Sequence, residues 1–118
     1  MIEQTVYTAL TTGSPLPTAA GLRVYPMLMP QEPAYPALTY QRIANDPIAS
    51  LDGNSNLDRV RLQIDCWALT YLAAKNLAAE VRAEMATIGA LLLLDLDDYE
   101  SNEKVYRVTM DFSLWQAV

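Results

Sequence analysis

Between Asp58 and Leu69 the chain alternates without a break. Val60, Leu62, Ile64, Cys66 and Ala68 fall to one side, and Arg59, Arg61, Gln63, Asp65 and Trp67 to the other. A period of two is that of a strand with one buried face, here about 40 Å long at roughly 3.3 Å per residue. Past Thr70 the period changes. Tyr71, Ala74, Leu77, Ala78, Val81, Met85 and Ile88 share one stripe of a helix over 71–88, with Lys75, Glu80, Arg82 and Glu84 mostly off it. Thr70 is placed to cap its start and Gly89 to stop it. At 1.5 Å per residue the helix spans about 27 Å, enough to lie across a four-stranded sheet. Two further strands close the chain, over 91–97 and 104–115. In the second, Tyr106, Val108, Met110, Phe112 and Leu114 alternate with Arg107, Thr109, Asp111 and Ser113.

The N-terminal third is less regular. Ile2, Val6, Ala9 and Leu10 have helical spacing and predict a short helix over 2–11, broken by Gly13, Pro15 and Pro17. A strand over 22–28 contains Pro26, which lacks a ladder donor and so belongs at a sheet edge. Residues 29–36 are proline-rich and extended. A strand over 37–43 precedes a polar loop over 44–56, long for a small domain and therefore a functional candidate. With the strand that follows, this loop can project past the domain as an arm. The elements add up to an α+β fold in a single domain, 1–118: an antiparallel sheet of about four to five strands packed on one long helix, with a short N-terminal helix and a long β-hairpin loop or arm.

Composition narrows the function. The 118 residues carry a net charge of −6 and contain no histidine. An acidic chain does not bind phosphate backbones broadly, because that binding relies on Lys and Arg to release counterions. It can still stand beside DNA as a wall to which DNA does not stick. Cys66 is the single cysteine, so no internal disulfide forms, and its place in the alternation makes it a small core residue. No basic start followed by an apolar run marks a signal peptide, and runs such as Leu91–Leu94 are too short to span a bilayer. A soluble protein made in a reducing compartment is expected, without cofactor or membrane partner.

The candidate chemistry is thin. Asp52, Asn54 and Asn56 match the first ligand positions of an EF-hand loop, but Leu57 stands where the turn glycine belongs and Gln63 where the bidentate glutamate belongs. The acidic run 95–103 (Asp95, Asp97, Asp98, Glu100, Glu103) reads as a solvated turn between strands. Without histidine the usual base for a serine or cysteine nucleophile is missing, and no P-loop, dinucleotide or G-x-S-x-G motif occurs. No enzyme is expected. The outer face of strand 58–69 is more informative, because Arg and Trp are enriched where subunits meet.

The order of the pieces is itself distinctive: Val24-Tyr25-Pro26, Tyr40-Gln41-Arg42-Ile43, Ser50-Leu51-Asp52-Gly53, then Arg61 through Ala68 running into the helix, and finally Asp111-Phe112-Ser113 with Trp115. This series resembles the tail-completion proteins of long-tailed bacteriophages, also called tail terminators or head–tail joining proteins, over nearly the whole chain. The resemblance implies a structural virion protein that forms a six-fold ring at the top of the tail tube, ends tube growth and joins tail to head. The implied partners are copies of itself, the tail-tube protein and a head-completion or connector protein, with DNA passing through the lumen unbound. The implied location is the virion tail or neck, and the host cytoplasm during assembly. Asp46, Leu51, Asp52, Asn54, Arg59, Arg61 and Trp67 are the candidates for ring and neck contacts. Other readings are a different neck component, such as a head-completion protein, and a small metal- or ligand-binding module built on 95–103.

Overall fold

The computed structural model describes Thr8 and residues 24–26, 36–48, 57–101 and 104–117. In chain order its elements are β1 (Val24–Pro26), β2 (Ala37–Ile48), β3 (Leu57–Ala68), α1 (Tyr71–Thr87), β4 (Leu91–Glu100) and β5 (Val105–Ala117). The strands lie in the order β1-β2-β3-β5-β4. β2, β3, β5 and β4 are antiparallel throughout, and the three-residue β1 lies parallel to Leu38–Tyr40 at the β2 edge. Pro26 therefore sits in an edge strand, as its missing donor requires. The expected N-terminal helix, apart from Thr8, lies outside the described residues.

The alternation in β3 and β5 becomes two faces of the sheet. Val60, Leu62, Ile64, Cys66 and Ala68 pair in register with Leu114, Phe112, Met110, Val108 and Tyr106. All of these but the half-buried Tyr106 are sealed from solvent. Onto this face α1 lays Ala74, Leu77, Ala78, Val81 and Met85. Small residues at 74 and 78 let the helix axis approach the sheet, while Leu77, Val81 and Met85 fill the space between strands. Burial pushes the Cys66 thiol pKa well up, so it is an inert core group.

Both ends of α1 follow from single residues. Thr70, extended at φ −125°, accepts the Ala73 N–H on its hydroxyl. At the other end Gly89 takes φ +79°, a left-handed conformation that suits glycine. The Gly89 and Ala90 N–H groups donate to the Ala86 and Met85 carbonyls, which closes a Schellman motif.

Several boundaries depart from expectation. β2 continues through Ala44–Ile48, where a loop is expected, so that Asp46 pairs with Arg59 in register. A bulge between Arg42 and Ala44 lets the strand bend and carry on. Pro47 is tolerated there because, among the described residues, β1 covers the outer edge of β2 only as far as Tyr40. β4 likewise runs to Glu100, so Asp95, Asp97, Asp98 and Glu100 lie on a strand and not in a turn. The turn is short, with Lys104 at φ 56°. Tyr71 and Ile88, placed on the buried stripe by spacing, are exposed and half-buried respectively.

Candidate functional site

The face of the sheet opposite α1 is where the candidate residues come together. The registers place Thr39 and Gln41 of β2 and Arg59, Arg61, Gln63, Asp65 and Trp67 of β3 there. From β5 come Arg107, Thr109, Asp111, Ser113 and Trp115. These side chains hold one another. Arg61 Nη2 donates to Asp111 Oδ2 at 3.2 Å, and Asp111 is buried. Asp65 accepts from Thr109 Oγ1 at 2.7 Å and from Gln63 Nε2 at 3.1 Å. Trp67 Nε1 donates to Thr39 Oγ1 at 3.1 Å, and the Arg107 guanidinium stands 5.3 Å from the Trp67 ring centre. A charged group on a half-buried sheet face must find partners or lose its hydration for nothing. Here each strand supplies partners for its neighbour.

Of the seven candidates, then, Arg61 and Trp67 are tied within the subunit. Arg59 is exposed at one end of the face, in register with Asp46 on one side and Trp115 on the other. Leu51, Asp52 and Asn54 lie outside the described residues, as does the rest of the EF-hand-like stretch before Leu57. The neighbour that sequence reasoning missed is Trp115, which is 56% exposed beside Arg59. Its signal in the sequence is the aromatic-rich end of β5, where Trp115 follows Asp111-Phe112-Ser113.

A second cluster sits on β4, at the opposite rim. Tyr71 Oη donates to Asp97 Oδ2 at 2.7 Å, and Lys75 Nζ donates to Asp97 Oδ1 at 3.1 Å, so α1 clasps the edge strand. Arg107 meets Asp98 at 2.7 Å and Glu100 at 3.0 Å. Within the acidic run Asp97 thus goes to Lys75, while Asp98 and Glu100 share Arg107; Glu103 lies outside the described residues. Among the described residues no three acidic or cysteine side chains converge as metal ligands.

The clasp has a defined pH window. Hydrogen bonds from the Tyr71 hydroxyl and then the Lys75 ammonium hold the Asp97 carboxyl below its ordinary range. The bond to Asp97 raises both Tyr71 and Lys75. Asp97, depressed on folding, stabilises above its unfolded value, and that contribution goes as pH falls through the folded one. Tyr71 and Lys75, raised on folding, contribute below their unfolded values and lose it as pH rises through the raised ones. All three groups are exposed, so salt weakens the effect. We expect Asp97→Asn to bring the Tyr71 titration, followed by NMR, back down toward that of a free tyrosine. An unmoved midpoint would show that the clasp does not form in solution.

Comparison with known proteins is consistent in kind. The family model described as Tail completion protein gp17 matches residues 4–117. Among solved structures, a chain from the virion of a native gene transfer agent particle superposes with a TM-score of 0.73 at 18% identity, covering 96% of this chain and 92% of that one. At that identity the likeness is one of fold. No curated protein matches the chain.

Proposed function

Since the chain belongs to the Tail completion protein gp17 family and is thereby a structural protein of the virion tail, we propose that it forms a six-fold ring at the top of the tail tube. The ring ends tube growth and presents the surface on which the head's connector docks. The observation that carries this reading is the extent of the match, which takes in residues 4–117 and so the sheet, the helix and both sheet faces together. A ring needs two unlike patches on each subunit, joined head to tail by rotation. Beside these, the polar face of the sheet offers a surface for neck contacts. Arg59 with Asp46 and the segment carrying Leu51, Asp52 and Asn54 make its contacts. Arg61 and Trp67 hold that face in shape from within.

The net charge of −6 suits the role. DNA that must slide through a channel is best met by a wall without a large excess of cations. Particles assembled without this protein are expected to show tails of uneven length, most of them separate from heads, in negative-stain images. Tails of uniform length properly joined to capsids would overturn the proposal.

A further inference from the structure

We infer that the ring is built by edge-to-edge sheet pairing, with β4 of one copy docking against the open edge of β2 in the next. The inference rests on the ring reading above and names its contact. β4 is the last strand of the sheet and, among the described residues, pairs only with β5. Its other edge therefore offers a row of backbone donors and acceptors. Natural sheets commonly blunt such an edge with proline, charged side chains, a bulge or a very short strand; β4 has acids along its C-terminal half and one bulge, but its N-terminal half is bare of charge. β4 has the sequence LLLLDLDDYE, and Leu91, Leu93, Leu94 and Leu96 are 44–64% exposed. A bulge between Leu92 and Leu94 places Leu91 and Leu94 on the same face, beside Ser113 and Asp111. The result is an apolar strip along the edge, on a strand that is otherwise acidic.

The occupant is set by geometry and charge. β2 is antiparallel to β3, β3 to β5 and β5 to β4, so β4 runs opposite to β2. A copy rotated without inversion thus brings β2 antiparallel beside β4, and the sheet continues across the junction. β2 has the matching opening, because among the described residues Gln41–Ile48 pairs only with β3. This stretch carries the cation Arg42, the exposed Ile43 and a single carboxylate, Asp46, against the four of β4. Arg42 and Asp95 lie on the same sheet face in the joined sheet, since Arg42 is in register with Leu62 and Asp95 with Met110. The rival is a two-fold dimer in which β4 pairs with itself. Antiparallel self-pairing over the whole strand would set Glu100, Asp98 and Asp97 opposite Leu91, Leu93 and Leu94, and would gather the four carboxylates of each copy at one junction with no cation added by the partner strand. Fewer carboxylates and the added cation Arg42 at the junction therefore favour the head-to-tail contact.

The test is made in purified particles and on the full chain. Ile43→Cys with Leu94→Cys, oxidised in the particle, is expected to give a ladder of covalent multimers that needs both cysteines; native Cys66 is buried and does not compete. Covalent dimers from Leu94→Cys alone would overturn the inference, as would no ladder, or a cross-link from Leu94→Cys to a different protein. Leu94→Lys with Leu96→Lys is expected to leave the circular dichroism spectrum unchanged and to lower joined particles at least about ten-fold, the equivalent of roughly 1.4 kcal/mol. If these variants assemble as well as wild type while wild-type rings are visible, the edge contact is wrong and the ring reading stands. If wild-type particles show no ring, both fall.

Discussion

Phe112→Ala is expected to destabilise the fold by about 3–5 kcal/mol, the usual cost of removing a fully buried aromatic ring. Phe112 is the chain's single phenylalanine and heads the fully buried side chains by volume. It stands in register between Leu62 on β3 and Leu92 on β4, with the core residues of α1 above. Deleting the ring therefore opens a void where the sheet meets the helix. The surrounding strands are tied by ladder hydrogen bonds and cannot collapse into it without losing register. A domain of this size has a net stability of roughly 5–15 kcal/mol, so the loss takes a large share. Urea denaturation followed by far-ultraviolet circular dichroism measures it directly. A loss below about 1 kcal/mol would mean that the packed face of the sheet is not the one described, and Leu94→Ala on the exposed edge serves as the near-neutral control.

The parts of this fold that are legible in the sequence are those with strong contrast between two faces. β3 and β5 alternate without error because one face is sealed and the other must make hydrogen bonds. α1 reads clearly because Ala74, Leu77, Ala78, Val81 and Met85 recur at helical spacing between a threonine cap and a glycine stop. The misread parts lie at edges, where contrast is weak. The acids of β4 suggest a turn because carboxylates are poor strand formers in isolation. On an edge strand, however, Asp97 is gripped by Tyr71 and Lys75, and Asp98 by Arg107, and no spacing rule foresees partners that come from another element. For the same reason Asn45, Asp46 and Pro47 look like loop residues and yet continue β2, since an outer edge asks no donor of a proline.

The candidate surface was legible in composition but not in wiring. Arg61 and Trp67 sit where the alternation puts them, on the outer face. Their hydrogen bonds to Asp111 and Thr39 depend on the strand order β2-β3-β5, which the sequence does not spell out. The run Leu91–Leu94 reads as part of a strand over 91–97 and as too short to cross a membrane, but its spacing does not reveal that it lies exposed on the β4 edge.

That wiring separates two substitutions that look alike on paper. From the alternation alone, Arg59→Glu together with Arg61→Glu is expected to block docking and leave the monomer folded. The structure divides the pair. Arg61 has a side chain 39% exposed, but its partner Asp111 is 9% exposed, so Arg61→Glu sets a second carboxylate against a nearly buried one. Removing one member of such a pair leaves a charge without compensation, and reversing it adds repulsion. Solvent reaches the Arg61 end and softens the cost, which we place at about 2–3 kcal/mol. Arg59→Glu alters an exposed residue at the end of the face, where solvent screens its contacts, and should cost less than Arg61→Glu. In the proposed ring it meets a neighbouring molecule, so Arg59→Glu alone is expected to abolish tail joining while staying folded and melting above Arg61→Glu. Arg61→Glu is expected to melt early and to fail in assembly for that reason. Denaturation curves run beside counts of joined particles distinguish the two. Fully joined particles with Arg59→Glu would remove this end of the face from the contact surface, and a wild-type melting curve for Arg61→Glu would show that Asp111 does not need its partner.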